Sequence, residues 1–343
     1  MKERVTYVNM GAVRYILAVS VIIYHVGGLM GFEVSWPLPS YIAVGAFFAL
    51  SGFLVFGSFL RSQSLKSFLS RRARRIMPPY VSIVLFCAVA FAGISTLSVG
   101  QYFTSPDWWR YVAANLCFMN FLEPVLPGVF EGYEHPAVNG SLWTMKVEWM
   151  LYLSVPVVAW LLARFRSRPG WVIGGICVLS IIYRLLMVWL YGHTGNELYD
   201  MLARQVFGQL SYFYAGVFIY FYRERFMRLR YPVAIFSLIL YLLRGDIPYF
   251  EYFLEPFVVA SLVILASVMG NWGRWLDTFP NVSYQMYLFH CPLIQLGVWF
   301  GLPALGFYPC VLIICALTFL CALLSWHTID KRVLNPRPST RHS

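Results

Sequence analysis

Charge is what this sequence has little of. Only 12% of its 343 residues are Asp, Glu, Lys or Arg, whereas 59% are apolar; a soluble domain carries about 25% charged residues. The mean hydropathy of +0.65 shows that the apolar excess is spread over the whole chain. This composition excludes a water-soluble globule, a disordered chain and a coiled coil. Apolar runs of about 20 residues span a bilayer, so the sequence predicts an all-α, polytopic transmembrane helical bundle.

Motifs for metal binding and for disulfides are also missing. The seven cysteines form an odd set without C-x2-C spacing, and the six histidines are scattered without a metal-ligand pattern. We therefore expect mostly buried, reduced thiols and no metal site. We find no internal repeat and no low-complexity tract, and we expect no extra soluble domain. Residues 1–330 are predicted to form one integral-membrane domain, followed by a short basic cytoplasmic tail at 331–343.

Ten apolar runs are candidate membrane spans. They lie near residues 11–30, 41–60, 80–97, 142–163, 171–191, 205–222, 231–243, 252–270, 283–301 and 306–326. The seventh run is the shortest. Pro78 and Pro79 directly precede the third run. We expect them to reset the direction of the chain before this span begins.

The positions of Lys and Arg predict the orientation of these spans. With the N-terminus inside, 20 of the 26 basic residues fall in cytoplasmic segments, 3 in outside loops and 3 within spans. Basic residues concentrate on the cytoplasmic side, so both termini are predicted to be cytoplasmic. The net charge of +11 is explained by these cytoplasmic Lys and Arg residues next to the lipid bilayer, and it does not require a nucleic-acid partner. We expect a multi-pass protein of a bacterial-type inner (cytoplasmic) membrane.

Two ionisable residues stand in the first span, where such side chains are costly and are functional candidates. Arg14 and His25 are eleven residues apart, close to three helical turns, so a helix places them on one face about 16 Å apart along its axis. A snorkelling anchor is the alternative for Arg14. For His25 the alternative is a hydrogen-bonded core histidine.

Four later stretches, taken in order, carry a family resemblance. The Arg-x10-His pair is followed by G-A-F-F-A-L-S-G-F-L (45–54), S-R-R-A-R-R-I-M-P-P-Y (70–80), G-S-L-W-T-M-K-V-E-W-M-L-Y (140–152) and V-S-Y-Q-M-Y-L-F-H-C-P (282–292). The sequence resembles the membrane-bound acyltransferase-3 family from about residue 8 to residue 330. The resemblance implies an acyl-CoA-dependent O-acyltransferase, with acetyl-CoA as the donor and a hydroxyl of a cell-surface or lipid-linked carbohydrate as the acceptor.

The same resemblance implies which residues form the site. The motif positions are matched by Arg14 and His25, by Arg72 and Arg75 of the Arg-x-x-Arg motif, by Glu148 after Ser-Leu-Trp, and by Ser283, Tyr287 and His290 of the S-Y-x-x-Y-L-x-H signature. Longer relatives carry a soluble esterase-like domain after the membrane part. A separate soluble partner that supplies such a domain is therefore one open alternative.

The predicted catalytic residues are His25, Glu148 and Arg14, and they suit acyl transfer. A sugar hydroxyl that attacks a thioester needs a base for its proton and a donor for the developing oxyanion. Histidine exchanges a proton near neutral pH, so we predict His25 as the general base. Glu148 lies at a similar predicted depth and could orient the imidazole. The alternative is that Glu148 is a helix-packing partner of Lys146 or Arg184.

The predicted acyl-CoA-binding residues are Arg14, Arg72 and Arg75. Coenzyme A is a cytosolic polyanion, and Arg side chains on the inner side suit its phosphates. The distance from Arg14 to His25 is comparable with an extended pantetheine arm, which would bring the thioester near His25. An ordinary positive-inside cluster is the alternative for Arg72 and Arg75.

Four polar residues within spans are predicted to line the acyl or acceptor cavity: Ser51, Ser283, Tyr287 and His290. The last three fall at i, i+4 and i+7 of one helix face. An interhelical hydrogen-bond seam is the alternative for all four. Ser51 is not expected to be a nucleophile, because its surroundings lack a strand-to-helix elbow.

Two other functional classes remain open. Intramembrane Arg, His and Glu also mark proton-coupled secondary transporters of small polar solutes, although paired broken spans are not found here. The second open class is a non-catalytic membrane scaffold, which would not require Arg14 and His25 on one helix face. The side of the membrane on which the acceptor binds also stays open.

Overall fold

The structure is a computed structural model that describes residues 7–165 and 168–334. Ten helices of at least 13 residues dominate it, and we label them α1 to α10 in chain order. They are α1 Met10–Met30, α2 Ser40–Leu60, α3 Leu65–Ala90, α4 Trp143–Phe165, α5 Pro169–Thr194, α6 Val206–Phe221, α7 Arg230–Leu242, α8 Glu255–Val268, α9 Ser283–Trp299 and α10 Phe307–Ser325. Shorter helical turns connect them, and the described ranges contain no β-strand.

The all-α prediction is therefore confirmed for the described residues. Each of the ten apolar runs overlaps one of the ten helices. Among the described residues, however, only six stretches are long and apolar enough to cross a membrane by length and composition: α1, α2, α3 with the turn after it, α4 with the turn before it, α5, and α10 with its extension. The protein is thus a multi-pass membrane protein. Among the other four, α7 has 13 residues, and at 1.5 Å per residue it is about 20 Å long.

The prediction that Pro78 and Pro79 precede the third span is wrong. Helix α3 begins at Leu65 and continues through both prolines to Ala90. A proline removes one backbone hydrogen bond, which a membrane helix tolerates when neighbouring groups satisfy the freed carbonyls. Arg72 and Arg75 consequently lie inside a helix, one to two turns before the apolar part of α3.

The described chain divides into two compact units. The first comprises residues up to 17, 41–69 and 147–278, and the second comprises 18–40, 70–146 and the chain from 279 onward. Helices α2 and α5 to α8 belong to the first unit. The second unit holds α9, α10 and most of α3. Helix α1 runs through the boundary between residues 17 and 18.

Glycine lets α2 and α6 approach closely within the first unit. A Cβ added to Gly52 would lie 1.9 Å from the Phe213 carbonyl oxygen, and one added to Gly216 would lie 2.0 Å from the Ala49 carbonyl oxygen. Small residues at a membrane-helix crossing allow such backbone contact, which supplies van der Waals packing where the hydrophobic effect does not drive association.

Asn9, just before α1, binds the backbone around the end of α8 within the first unit. Its Nδ2 donates to the Met269 carbonyl at 2.7 Å and lies 3.3 Å from the carbonyls of Ala266 and Gly270. Its Oδ1 accepts the Gly273 N–H at 2.9 Å. The fully buried amide thereby satisfies backbone groups in the last turn of α8 and just after it.

The second unit contains the large connection between α3 and α4. Two short helices, Val99–Thr104 and Pro106–Leu116, give this connection local order. Its aromatic residues bind back to the end of α3, since Tyr102 Oη and Trp108 Nε1 both donate to the Ala88 carbonyl.

Of the predicted basic tail, Lys331–Leu334 forms a helical turn and residues 335–343 lie outside the described residues.

Candidate functional site

His25 lies in the last third of α1 and is partly buried. Its Nδ1 is 2.9 Å from the Val21 carbonyl oxygen. Because a carbonyl oxygen can only accept a hydrogen bond, this contact places the ring proton on Nδ1 in the neutral imidazole. The lone pair is then on Nε2. This is the tautomer that a general base needs.

Arg14 lies on the same uninterrupted helix, which confirms the predicted spacing of three turns. Arg14 is partly buried, as is His25. Ala18 and Val21, which lie between them on the helix face, are at most 1% exposed, whereas Ile16 is 48% exposed. The face that carries Arg14 and His25 therefore packs inside the protein, and another face of α1 meets the surroundings.

His290 of α9 is a close neighbour of His25, a contact that the sequence did not predict. The two ring centroids are 4.9 Å apart with an interplanar angle of 70°. His290 is fully buried, and its Nδ1 lies 2.7 Å from the Tyr287 carbonyl oxygen. His290 therefore has the same tautomer as His25. The signature S-Y-x-x-Y-L-x-H marked His290, but nothing in either helix alone indicated that the two rings meet.

The rest of the predicted polar stripe on α9 makes hydrogen bonds inside the second unit. The Tyr287 hydroxyl accepts from Thr144 Oγ1 at 3.0 Å, and Ser283 Oγ donates to Asn281 Oδ1 at 2.6 Å. Tyr287 thus joins α9 to the start of α4. These contacts favour the interhelical seam for Tyr287, and the cavity-lining role of Ser283, Tyr287 and His290 stays a prediction.

Asn139 reinforces this seam and was missed by the sequence analysis. Its Nδ2 donates to the Leu288 carbonyl at 2.9 Å, and its Oδ1 accepts from Ser141 Oγ at 2.7 Å. It immediately precedes the Gly-Ser-Leu-Trp motif, so its position next to a recognised motif was the available signal. Asn139 holds the segment before α4 against the turn of α9 that carries His290.

Glu148 and Ser51 meet in the first unit. Ser51 Oγ of α2 donates to Glu148 Oε1 at 3.4 Å, and the Tyr152 hydroxyl donates to the same oxygen. Ser51 therefore makes an interhelical hydrogen bond, which is the alternative offered for it above. The prediction that Glu148 orients the His25 imidazole stays a prediction.

The suggested packing partners of Glu148 have other contacts. Arg184 of α5 donates to the Glu251 carbonyl at 3.0 Å and stacks over the Tyr252 ring, 5.1 Å from its centroid. Lys146 Nζ lies 4.4 Å from the centre of the Phe121 ring. These contacts favour a role for Glu148 other than pairing with either cation.

Arg72 and Arg75 lie on the N-terminal half of α3, in the second unit. Arg72 is partly buried, whereas Arg75 is exposed. Ile76, one residue further on, accepts a hydrogen bond from the Tyr284 hydroxyl of α9 at 3.1 Å. The first turn of α9 therefore packs against the arginine-bearing part of α3, although the donor-binding role of these arginines is not tested by this geometry.

The cysteines are all free thiols. Cys87, Cys177, Cys291 and Cys310 are buried, Cys315 and Cys321 are intermediate, and Cys117 is exposed. All seven lie within the described ranges, and four of them are buried as expected. Cys291 follows His290 directly, and its Sγ is 3.4 Å from His290 Nε2.

Comparison with known proteins identifies the class of protein that carries these residues. The profile of the acyltransferase domain family matches residues 7–327, nearly the whole chain. The chain therefore belongs to this acyltransferase family, which confirms the resemblance inferred from the four motifs.

Individual relatives are distant in sequence. The chain is 24% identical to an O-acetyl transferase of Shigella phage Sf6 over 308 residues, which cover 89% of this chain and 87% of the phage protein. It is 23% identical to the peptidoglycan O-acetyltransferase OatA of Listeria monocytogenes over 328 residues, covering 84% of this chain and 49% of OatA. Nodulation protein 10 of Rhizobium leguminosarum is 29% identical over 157 residues, 45% of this chain and 41% of that protein.

The chain thus spans most of the phage protein but only about half the length of OatA. No solved structure matches the chain.

Proposed function

We propose that this protein transfers an acetyl group from acetyl-CoA to a hydroxyl of a cell-surface or lipid-linked carbohydrate. The relatives named as O-acetyltransferases support this activity, and the peptidoglycan enzyme supports a carbohydrate acceptor. The observation that carries the proposal is the state of His25, whose Nδ1–H is bound to the Val21 carbonyl and whose Nε2 is left to accept a proton.

In the proposed reaction, His25 Nε2 takes the proton of the acceptor hydroxyl as its oxygen attacks the thioester carbonyl. The tetrahedral intermediate collapses, the C–S bond breaks, and the imidazolium returns the proton to the coenzyme A thiolate. Glu148 contributes negative charge that stabilises the imidazolium and orients the ring, as the third member of a triad does. A general base at such a position contributes about 10²- to 10⁴-fold to the rate.

Arg14, Arg72 and Arg75 bind the donor. Guanidinium groups form strong, charge-assisted hydrogen bonds with phosphates. Arg14 stands about 16 Å from His25 along α1, at 1.5 Å per residue, so phosphates held near it leave room for the pantetheine arm to reach the base. Ala18 and Val21 lie between Arg14 and His25 on α1 and are buried in this structure. Binding of the donor along this face of α1 therefore has to displace the side chains that pack against it.

The proposed reaction requires a particular orientation of the chain in the membrane. We propose ten membrane crossings with both termini in the cytoplasm of a bacterial-type cell, so that the arginine-bearing part of α3 faces cytosolic acetyl-CoA. The concentration of Lys and Arg in the corresponding segments supports this orientation. The four helices below full span length would cross with the help of the connecting turns at their ends.

The activity is tested with the purified full-length chain in detergent or in lipid nanodiscs, supplied with radiolabelled acetyl-CoA and a panel of oligosaccharides. Transfer of the label to a glycan, with release of free coenzyme A, is the expected result. Solute uptake into liposomes without acetyl transfer would contradict the proposal and favour a secondary transporter. Equal labelling of samples with and without protein would also contradict it.

A further inference from the structure

Three metal-ligating side chains converge beside the proposed base. His25 of α1 and His290 and Cys291 of α9 offer one ligand atom each, and these atoms all lie within 4.8 Å of one another. His290 is fully buried and Cys291 is 2% exposed. The three residues belong to the same unit. No spacing motif could reveal this cluster, because its members come from opposite ends of the chain.

Both imidazoles are already oriented as metal ligands are. A histidine that binds a metal usually donates its other ring N–H to a carbonyl or carboxylate, which fixes the tautomer and the ring plane. His25 does so to Val21 at 2.9 Å and His290 to Tyr287 at 2.7 Å, both through Nδ1. In each ring the lone pair is therefore on Nε2.

The spacing of the sulfur and nitrogen atoms fits a tetrahedral centre. Zinc bonds of about 2.3 Å to sulfur and 2.0–2.1 Å to nitrogen, at a tetrahedral angle, separate the two ligand atoms by about 3.5 Å. Cys291 Sγ and His290 Nε2 are 3.4 Å apart. The third ligand atom, on His25, lies within 4.8 Å of the other two, so zinc binding requires the His25 side chain to move closer to them.

We propose that His25, His290 and Cys291 form a binding site for a thiophilic d10 cation, Zn²⁺, with three protein ligands and an open fourth position. A thiolate with two imidazoles is a ligand set that zinc accepts, and the hard cations Mg²⁺ and Ca²⁺ do not favour it. Binding releases the thiol proton of Cys291 to the solvent and forms one S–Zn bond and two N–Zn bonds.

The site has a consequence for catalysis that rests on the proposed function. Zinc occupies the Nε2 lone pair of His25, the same lone pair that accepts the hydroxyl proton. Metal binding and general-base catalysis therefore exclude each other, and bound Zn²⁺ inhibits acetyl transfer reversibly. Metal binding itself requires no substrate, so the two ideas can fail separately.

The test uses the full-length protein in detergent, stripped with a chelator and then loaded with Zn²⁺ or Co²⁺. We expect one zinc per chain after desalting, and a thiolate-to-cobalt charge-transfer band in the near ultraviolet with Co²⁺. Cys291→Ser keeps a hydroxyl next to His290 Nε2 but removes the thiolate, and Cys87→Ala removes a buried helical thiol of the same unit. We expect Cys291→Ser to weaken zinc binding by at least about tenfold and to abolish the band, and Cys87→Ala to leave both unchanged.

Three results would overturn the site: no stoichiometric zinc on the wild-type protein, an unchanged cobalt band in Cys291→Ser, or equal losses in the two cysteine variants. A reduced cobalt affinity of His290→Gln is expected as well, with the melting temperature recorded to show that this variant is folded. If zinc binds as expected but does not inhibit acetyl transfer, the metal site stands and the assignment of His25 as base fails.

Discussion

The crossing of α2 and α6 gives the sharpest stability prediction. A methyl group at Gly52 would lie 1.9 Å from the Phe213 carbonyl oxygen, whereas ordinary contact begins at 3.4 Å. The helices must therefore separate by about 1.5 Å, because a backbone oxygen cannot rotate away as a side chain can. Overpacking of this kind costs about 1–3 kcal/mol, and we expect the upper end for Gly52→Ala.

The assay is thermal unfolding of the purified protein in detergent, followed by loss of the monodisperse peak. A loss of about 3 kcal/mol corresponds to a fall of about 6–12 °C, at roughly 2–4 °C per kcal/mol for a unit of this size. Gly174→Ala is the matched control, because Gly174 lies within helix α5 and an added Cβ meets nothing within 4 Å. Alanine is favoured over glycine inside a helix, so this control should melt at or above the wild-type temperature.

Equal melting temperatures for Gly52→Ala and Gly174→Ala would refute the close approach of α2 and α6. Gly216→Ala provides an independent check, because its Cβ would lie 2.0 Å from the Ala49 carbonyl oxygen at the same crossing. Once one methyl group has separated the helices, the second costs less. The double variant should therefore lose less stability than the sum of the two single losses.

Three further predictions concern Asn9 and the proposed site. Asn9→Ala leaves several backbone groups unsatisfied and should destabilise the protein by about 1–3 kcal/mol, measured by the same melting assay; an unchanged melting temperature would show that the Asn9 hydrogen bonds are dispensable. Glu148→Gln keeps the shape of the side chain but removes its charge, so we expect a melting temperature near that of the wild type and a kcat lower by about 10²-fold or more. A wild-type kcat in this variant would exclude a role of Glu148 in catalysis. Replacing Arg72 and Arg75 together by Gln should raise the KM for acetyl-CoA by about tenfold, whereas Arg228→Gln, an exposed arginine of another basic segment, should leave it unchanged; equal effects would favour a general positive-inside role.

Hydropathy predicts the existence of all ten long helices and the bounds of most of them, since membrane helices are specified locally by apolar length. The runs 11–30 and 41–60 agree within one residue with the helices Met10–Met30 and Ser40–Leu60. The third run was misplaced because Arg and Pro residues obscure the first part of α3. Helix continuity through Pro78 and Pro79 depends on satisfying the freed carbonyls, which composition does not report.

The site was only half predictable for a related reason. Arg14 and His25 share a helix, so their spacing could be calculated from the sequence alone. The contact of His25 with His290 and the bond from Ser51 to Glu148 join helices that are far apart in the chain. Such pairs depend on tertiary packing. For the same reason, scattered histidines and cysteines did not indicate a metal site, although three of them converge in the folded chain.

The most direct test of the account compares acetyl transfer by His25→Ala and His193→Ala. His193 is a good control because its Nδ1 also contacts the carbonyl four residues earlier, at 2.8 Å, but it is exposed at the end of α5. With radiolabelled acetyl-CoA and an accepted glycan, His25→Ala should lose about 10²- to 10⁴-fold in kcat while His193→Ala retains the wild-type rate. Equal kcat values for the two folded variants would contradict the assignment of His25 as the general base.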